Sequence, residues 1–381
     1  MNVLLLGGTG PMGIHLSEIL RRNRINVYIT SRQKHEDVGG IRYIQGNARD
    51  EKFVNAILIE KTWDCIVDFM VYGTEEFKNR IDDLLSNTKQ YVFLSSARVY
   101  DDEDEYITEK SSRLLDTSKD EKYLKTDEYA LYKAREEDIL RNSKYTNYTI
   151  IRPYITYAEN RLPLGIWEKE TWVRRFLEGK DIALPKKFLS RDTTLCYGKD
   201  VSQCISKLIG NNSAIGQIYN VTSNISCTWE EVLEIYLDSI EKITDRRPKV
   251  VIVDAYIQNY KRMLFNWFVD VFSFGLAKQK IQITNQSYQL IYDREFNRKF
   301  DNRKLLAIVP DAEFSDYRAN LVKCLNSFSE HPVYSYQNWI WEFVQDKLTG
   351  NTTPIDTIPS FNLKCKYLLI RYCIPKKYIA R

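Results

Sequence analysis

Three residues, a serine, a tyrosine and a lysine, have the types and the spacing for acid–base chemistry. Tyr129 and Lys133 stand in the run YALYKAREEDIL, whose pattern predicts a helix, so their side chains share one face and lie one turn apart. A nearby cation favours the phenolate form of a tyrosine, which can accept a proton near neutral pH. Ser96 follows the apolar run YVFL, where its hydroxyl can hydrogen-bond the same substrate oxygen. A Tyr–Lys pair alone also occurs on solvated helix faces, so the prediction depends on the surrounding elements.

The N-terminal stretch MNVLLLGGTGPMGIHLSEIL predicts a strand, a glycine turn and a helix, in that order. Gly7, Gly10 and Gly13 stand where a turn without Cβ atoms lets backbone N–H groups approach a pyrophosphate. The positive end of the following helix favours the same negative charge. The alternative is a glycine-rich turn that holds no ligand. A dinucleotide is the preferred interpretation, because the turn stands at the first strand–helix junction of a predicted α/β sheet.

The first half of the chain alternates strand-like runs with helical patterns, which predicts right-handed βαβ units in a Rossmann-type, doubly wound parallel sheet. The predicted strands are Val3–Leu6, Val27–Thr30, Arg42–Ile44, Cys65–Phe69, Tyr91–Leu94 and Tyr148–Ile151. Beyond Arg152, helical stretches mix with short apolar runs, which predicts a smaller mixed α/β substrate domain. The predicted helices there are Trp167–Leu177, Asp200–Ile209, Thr228–Ile243 and Tyr317–Leu325, and the apolar runs are Gln217–Val221 and Val250–Val253.

The composition is typical of a soluble globular protein and argues against several functional classes. Of 381 residues, 44% are hydrophobic and 28% are charged, and the net charge of +4 gives no general case for a nucleic-acid partner. The seven cysteines are scattered and form no CxxC pair, which favours a reducing cytoplasm over a disulfide framework or a zinc site. The three histidines do not cluster, so we predict no metal. We also predict no signal peptide and no membrane span.

Together these motifs resemble those of the extended short-chain dehydrogenases/reductases, specifically the NAD(P)-dependent sugar-nucleotide epimerase/dehydratase family. GGTGPMG matches the family's GxxGxxG, SSARVY resembles its serine motif, and YALYK matches its YxxxK. Weaker similarity, such as IRPYITY and the RD that precedes GKDV, extends over about residues 1–254. The resemblance implies Ser96, Tyr129 and Lys133 as the catalytic residues. The cofactor contacts that it implies come from the glycine turn and the catalytic lysine, namely Gly7, Gly10, Pro11, Met12, Gly13 and Lys133.

Two departures from the family pattern bear on the cofactor. The second strand of an NAD-binding fold ends in an acidic residue that holds the ribose 2′-hydroxyl, whereas Ser31 and Arg32 stand at that end here. Serine removes the charge repulsion against a 2′-phosphate and arginine can pair with it, so the comparison implies NADP in preference to NAD. The alternative for Arg32 is a surface arginine. Asn47 stands where the family has an aspartate near the adenine, and its amide can still hydrogen-bond the base edge.

A third departure bears on the reaction. The 4,6-dehydratases of this family carry an Asp-Glu pair after the active-site hydroxyl residue, and Ala97 and Arg98 stand there in this chain. The resemblance therefore implies epimerisation, or reduction and dehydrogenation, of a nucleotide-diphosphate sugar rather than dehydration, in surface polysaccharide biosynthesis. The implied substrate contacts are Arg98, Tyr154 and Arg191, and Arg191 matches an arginine that often meets a nucleotide phosphate.

The rival interpretation is a non-catalytic NAD(P)-sensing or RNA-binding protein on the same fold. Sensors of that kind often lack the catalytic tyrosine, whereas the serine, the tyrosine and the lysine are all present here. The small net charge argues against RNA as a partner. The resemblance implies a cytoplasmic homodimer without a nucleic-acid partner.

The change of pattern along the chain, read with the resemblance, implies three regions. Residues 1–152 form an NAD(P)-binding Rossmann domain to which 192–222 return, residues 153–191 and 223–350 bind the substrate, and residues 351–381 form a basic tail. The tail interleaves lysines and arginines with Tyr, Leu and Ile, so it either contacts an anionic membrane at its inner face or is a packed or disordered terminus. The aromatic-rich segment 261–274 is too short to span a bilayer and predicts a core, a subunit interface or a membrane-surface contact.

Overall fold

The computed structural model describes residues 1–254, 261, 263, 264, 267, 268 and 288–380. These residues form two compact units, each of which gathers separate stretches of the chain. The first unit contains Met1–Asn160, Thr194–Ser226 and Arg298–Asn320, and the second contains the described residues of Arg161–Thr193, Cys227–Asn297 and Leu321–Arg381. Residues 298–320, which the sequence analysis assigns to the substrate-binding region, belong to the first unit. The binding roles expected for the regions stay predictions.

The strands of the described residues are short, and most of them belong to one sheet. In chain order they are β1 Asn2–Leu6, β2 Asn26–Ser31, β3 Ile41–Gln45, β4 Cys65–Asp68, β5 Tyr91–Leu94, β6 Tyr148–Pro153, β7 Ile155–Tyr157, β8 Ile182–Pro185, β9 Asp192–Thr193, β10 Leu195–Tyr197, β11 Gln217–Val221, β12 Cys227–Thr228 and β13 Val250–Val253. In the first unit the described residues form a seven-stranded parallel sheet with the order β11-β6-β5-β4-β1-β2-β3. The predicted doubly wound, Rossmann-type parallel sheet is therefore confirmed.

The helices begin close to their predicted positions, with one exception. In chain order the described helices are α1 Pro11–Arg22, α2 Glu51–Glu60, α3 Thr74–Ser86, α4 Leu114–Thr117, α5 Glu121–Leu124, α6 Tyr129–Arg141, α7 Trp172–Leu177, α8 Lys186–Leu189, α9 Gly198–Leu208, α10 Trp229–Thr244, α11 Arg303–Ile308, α12 Tyr317–Glu330, α13 Trp339–Thr349 and α14 Phe361–Leu368. The prediction that α7 begins at Trp167 was wrong. Gly165 adopts φ +60°, and the backbones of Leu164 and Trp167 hydrogen-bond each other, so these groups are not available for a helix start.

Helices cover both faces of the seven-stranded sheet, which explains why its strands are apolar at consecutive positions. From β1, Val3 and Leu5 join the core that contains α1 and α9, whereas Leu4 and Leu6 join the core that contains α2 and α3. All four side chains are fully buried, and each such burial stabilises the fold by about 2 kcal/mol. This packing fixes the carboxyl ends of the strands along one edge of the sheet.

The second unit combines short strand pairs with helices that are joined by a buried ion network. Strands β8 and β13 pair in parallel, and β9 and β12 pair antiparallel, which gives the mixed architecture that was predicted. Arg175 on α7 is fully buried and pairs with Glu342 at 2.6 Å and with Asp346 at 2.9 Å, both on α13. Removal of Arg175 would take away the cation that lies 2.9 Å from the buried carboxylate of Asp346. The network therefore fixes α13 to α7.

The C-terminal segment packs on the second unit as far as the structure describes it. The N–H of Thr353 donates to the hydroxyl of Tyr367 at 2.9 Å, and Ile370 and Ile374 are buried. One side of the predicted tail is therefore packed, and its contact with an anionic membrane stays a prediction. No described helix is long and apolar enough to cross a membrane. The aromatic-rich segment 261–274 lies mostly outside the described residues, so its interpretation stays a prediction.

Candidate active site

The glycine turn leads from β1 into the N-terminus of α1. Gly7 has φ +68°, a conformation that residues with a Cβ rarely adopt. Gly10 is the N-cap of α1, and Pro11 is its first residue, where the missing N–H of proline costs no helical hydrogen bond. The first turn of α1, all of whose residues are described, contains no acidic side chain. The partial positive charge of the helix N-terminus is therefore available to an anion.

The surroundings of Gly13 and Gly10 differ, and each explains in its own way why glycine stands there. A Cβ on Gly13 would lie 2.4 Å from the carbonyl oxygen of Gly8, so only glycine lets α1 pack this closely on the turn. A Cβ on Gly10 would meet no described atom within 4 Å. This open space at the helix N-terminus fits a pyrophosphate. Met12 faces the core instead, and its carbonyl accepts a hydrogen bond from the Ser202 hydroxyl at 2.8 Å.

A cavity of about 330 Å³ opens beside the turn at the carboxyl ends of β1 to β4. It is lined by four of the predicted cofactor residues, Gly7, Ser31, Arg32 and Asn47. The Ser31 hydroxyl lies 3.0 Å from Nε2 of His35, and Arg32 is exposed. The described residues that line the cavity include no carboxylate. The donor set therefore fits a dinucleotide, and none of these side chains would repel a 2′-phosphate.

Sequence reasoning missed Thr30, Arg49 and Met70, which also line this cavity. Thr30 accepts the N–H of Gly7 on Oγ1 at 2.9 Å, so it holds the turn in place. Met70 occupies the space that a Cβ on Gly7 would need, with its Sδ 2.6 Å from that position. Arg49 pairs with Glu76 at 3.1 Å and gives the cavity a second lining arginine. Only Arg49 carried a sequence signal, because it lies in the stretch GNARD.

Ser96 and Tyr129 begin two different elements that meet through Arg98. Ser96 follows β5 and caps the short turn 97–99, where its Oγ accepts the N–H of Arg98 at 3.2 Å. Tyr129 is the first residue of α6. The guanidinium of Arg98 lies 4.9 Å from the ring centroid of Tyr129 and pairs with Glu128 at 2.7 Å. Arg98 thus contacts both the serine and the tyrosine, which were predicted from distant stretches of sequence.

Glu128 fixes both the start of α6 and the position of Arg98. One carboxylate oxygen of Glu128 accepts the N–H of Ala130 at 2.8 Å, which caps the helix. The other oxygen accepts a hydrogen bond from Arg98 at 2.7 Å. Because Tyr129 stands between the cap and the first buried residue of the helix, its backbone is held from both sides. Glu128 was not singled out from the sequence.

Lys133 lies one turn after Tyr129 on α6 and is buried. Its Nζ forms an ion pair with Oε2 of Glu136 at 3.0 Å and lies 4.5 Å from the ring centroid of Phe93. Burial raises the pKa of Glu136 to about 7, although the charge of Lys133 acts in the opposite direction. Burial also raises the pKa of Asp68, at the end of β4, and Lys133 again opposes the shift. The lysine therefore interacts with two buried carboxyl groups of the described part of the chain.

A second buried network ties β5, β6 and α6 together next to the site. Arg152 donates to Glu137 at 2.5 Å and to the Tyr100 hydroxyl at 2.7 Å. The hydroxyl of Ser95 donates to the same Glu137 carboxylate at 2.5 Å. Arg152 and Glu137 are both buried, so loss of either one would leave a buried charge. This network fixes the residue that precedes Ser96 and the helix that carries Tyr129.

The predicted substrate residues are divided between the two units. Arg98 and Tyr154 belong to the first unit, where Tyr154 is buried with its ring centroid 5.2 Å from that of Phe300. Arg191 belongs to the second unit, and its carbonyl accepts the N–H of Trp229 at 3.3 Å. Contacts of these residues with a substrate stay predictions. Within the described ranges, no group of three or more His, Cys, Asp or Glu side chains could hold a metal ion.

Solved structures share this fold at low sequence identity. The enzyme WbmH of Bordetella bronchiseptica, in complex with NAD+, has a TM-score of 0.61 at 14% identity over 87% of this chain and 99% of that chain. The dTDP-glucose 4,6-dehydratase of Bacillus anthracis, with NAD, has a TM-score of 0.61 at 15% identity over 87% and 97%. The UDP-glucose 4-epimerase of Thermus thermophilus, with NAD, has a TM-score of 0.58 at 15% identity over 87% and 100%. These matches show the shared fold.

Comparison of sequences identifies a family in addition to the fold. A comparison with curated protein sequences found no match. The sequence model of the NAD dependent epimerase/dehydratase family, however, matches residues 3–222, which is more than half of the chain. The matched range contains the glycine turn, Ser96, Tyr129 and Lys133. The chain therefore belongs to the NAD dependent epimerase/dehydratase family.

Proposed function

We propose that this protein is an NAD(P)-dependent epimerase or reductase/dehydrogenase that acts on a nucleotide-diphosphate sugar. The observation that carries the proposal is that Arg98 contacts both Ser96 and the ring of Tyr129. Tyr129 in turn lies one helical turn before Lys133 on α6. Nucleotide-sugar enzymes among the solved structures, the UDP-glucose 4-epimerase and the dTDP-glucose 4,6-dehydratase, support this substrate class. Family membership supports the nicotinamide cofactor.

Each of the three catalytic residues has a separate role in this proposal. A nicotinamide cofactor, when bound, would supply hydride transfer to and from one carbon of the sugar. Tyr129 takes the proton from the hydroxyl on that carbon during oxidation and returns it during reduction. Ser96 donates a hydrogen bond to the same oxygen and holds it in line with the phenol. Lys133 would contribute its positive charge next to the phenol and would hold the nicotinamide ribose of a bound cofactor.

NADP is the proposed preferred cofactor, and NAD is the alternative. Support comes from the cavity at the ends of β1 to β4, whose described lining includes Ser31, Arg32 and Arg49 but no carboxylate. A guanidinium forms charge-assisted hydrogen bonds with a phosphate. The solved structures named above contain NAD, so a direct comparison of the two cofactors is needed.

Epimerisation or carbonyl reduction is proposed over dehydration because of what stands after Ser96. Ala97 is buried and has no acid or base function. Arg98 is paired with Glu128 and is permanently charged, so it cannot donate and accept protons in an elimination. We further propose that the protein is a homodimer that supplies surface polysaccharide biosynthesis, a context that rests on the family resemblance.

Product analysis tests the proposal. The purified protein is incubated with the oxidised or the reduced form of NADP or NAD and, in turn, with UDP-, dTDP- and GDP-linked hexoses or their keto derivatives, and the sugars are identified by NMR spectroscopy. We expect at least one sugar to be inverted at a carbon, or oxidised or reduced there, and Tyr129→Phe to abolish the change. If no sugar changes with either cofactor, the proposed reaction is wrong.

A further inference from the structure

The C-terminal helix α14 and the turn after it expose apolar side chains along one side. Phe361 is 83% exposed, Leu368 is 40% exposed and Tyr372 is 68% exposed. These residues are spaced by seven and then four positions, which places them on the same side of a helical segment. Tyr367 and Ile370, on the other side, are buried. We call Phe361, Leu368 and Tyr372 the C-terminal stripe.

The C-terminal stripe lies in a stretch of sequence whose charged residues are all positive. From residue 357 to the end, the sequence contains lysine and arginine but neither aspartate nor glutamate, and the cations are Lys364, Lys366, Arg371, Lys376, Lys377 and Arg381. Lys376 and Lys377 are exposed in the structure. An exposed apolar row with cations beside it is the pattern of a segment that binds at the surface of an anionic membrane.

The C-terminal stripe is held on a fixed support. Lys347 on α13 donates to the carbonyl of Arg371 at 2.7 Å, and Arg371 donates to the carbonyl of Asp346 at 3.0 Å. The hydroxyl of Tyr367 accepts the N–H of Thr353 at 2.9 Å. Because the backbone of this segment is already ordered, it would not have to fold on the membrane. Its loss of conformational entropy on binding would therefore be small.

We propose that the C-terminal stripe and its lysines dock this protein on an anionic lipid bilayer. The apolar side chains would enter the headgroup boundary, and the cations would contact lipid phosphates. A second copy of the chain is a poorer fit, since a twofold contact through this face would bring two cationic surfaces together. A nucleic acid would engage the cations but would leave the apolar side chains in water. The surface lies in the second unit, whereas Ser96, Tyr129 and Lys133 belong to the first.

Vesicle sedimentation of the full-length protein tests this proposal. The probes are vesicles of phosphatidylcholine alone and vesicles in which phosphatidylglycerol replaces part of it. We expect binding only to the anionic vesicles and weaker binding as salt is added. Replacement of Lys376 and Lys377 by Gln is expected to weaken binding about fivefold for each cation removed.

The apolar contribution has a matched control. The triple variant Phe361→Ser, Leu368→Ser, Tyr372→Ser is compared with Ile59→Ser, Val333→Ser, which removes side chains that are 81% and 71% exposed elsewhere. We expect the triple variant to lose at least about tenfold in vesicle binding, whereas the control variant binds like wild type. Turnover of a soluble nucleotide sugar should be equal in all three proteins and shows that each is folded.

Three results would overturn the proposal. The first is equal binding to neutral and anionic vesicles, or to neither. The second is dimerisation in the absence of lipid that the triple variant abolishes, because the stripe would then bind a second copy. The third is binding of an RNA probe that the Lys376→Gln, Lys377→Gln variant loses while the triple serine variant keeps it, because the cations would then serve a nucleic acid.

Discussion

The Nζ of Lys133 lies 3.0 Å from Oε2 of Glu136, and both side chains are buried. The lysine that is proposed to place a positive charge next to Tyr129 therefore has a carboxyl group of its own helix as a direct partner. Because the pKa of Glu136 is raised to about 7 by burial, the charge of this pair changes within the physiological pH range. When Glu136 is ionised, its negative charge offsets the positive charge of Lys133, and when Glu136 is protonated it does not.

Glu136 should make the stability of the protein depend on pH. The pKa of Glu136 in the folded state, about 7, lies above its ordinary value of 4.5, so the folded protein holds this proton more tightly than the unfolded chain does. The contribution of Glu136 to the free energy of unfolding is therefore fully present below pH 4.5 and is lost as the pH rises to about 7. Glu136→Gln cannot ionise. We therefore expect its free energy of unfolding, relative to wild type, to increase by roughly 3 kcal/mol between about pH 4 and pH 8. Urea unfolding across this range measures the difference, and Glu60→Gln, at an exposed position, is the control. A parallel pH dependence in wild type and Glu136→Gln would show that Glu136 does not titrate as described.

The glycine turn should respond differently to the same substitution at two positions. Gly13→Ala places a Cβ 2.4 Å from a backbone oxygen, so we expect a loss of about 1–3 kcal/mol in the free energy of unfolding without any ligand. Gly10→Ala meets no described atom within 4 Å, and should leave that free energy nearly unchanged. If the pyrophosphate occupies this space, Gly10→Ala weakens cofactor binding in calorimetry. Unchanged cofactor affinity in Gly10→Ala would place the pyrophosphate elsewhere.

Cofactor choice should depend on Arg32 and Ser31. We expect Arg32→Gln to weaken NADPH binding about tenfold, because a charge-assisted hydrogen bond to the 2′-phosphate is lost. NADH binding should change little in the same variant. Ser31→Asp should reverse the preference, since its carboxylate would repel the phosphate and hold the ribose hydroxyl. Fluorescence titration with both reduced cofactors measures these affinities, and equal losses for NADPH and NADH would contradict a role in selectivity.

Arg98 should affect turnover more than substrate binding. Its guanidinium is paired with Glu128 and stacked on the ring of Tyr129, so we expect Arg98→Met to lower kcat by about tenfold or more. Arg98→Lys, which keeps the positive charge but not the planar fork, should lose less. Steady-state kinetics separates the two roles. An increase in KM with unchanged kcat would instead assign Arg98 to the substrate, as the sequence analysis implied.

The sequence predicted the features of the fold that arise from local patterns. Unbroken apolar runs such as Val3–Leu6 are typical of strands that are buried on both faces, and the order of runs and helices predicts the parallel sheet. The glycine turn is likewise local, because Gly7, Gly10 and Gly13 lie within one short stretch. Ser96 and Tyr129 came from separate motifs, and their placement at the same edge follows from the doubly wound topology.

Long-range contacts could not be read from the sequence in the same way. Glu136 stands in the charged run AREEDIL, which is typical of an exposed helix face, yet it is buried and interacts electrostatically with Asp68 on β4 and Tyr91 on β5. Arg175 pairs with residues on α13 that are far away in sequence. The return of residues 298–320 to the first unit has no local signal either. In each case the partners are brought together by the packing of distant elements.

The most direct test of the central claim is the absorbance of reduced nicotinamide, at about 340 nm, in the purified protein. It is recorded before and after addition of a panel of nucleotide sugars, with Tyr129→Phe measured alongside. We predict that one sugar changes this absorbance in wild type, and that Tyr129→Phe binds the cofactor but loses the change by about a hundredfold to ten-thousandfold in rate. Cofactor that stays bound through turnover would indicate an epimerase, and consumption of added NADPH would indicate a reductase. Identical spectra of wild type and Tyr129→Phe with every sugar would contradict hydride chemistry at this site.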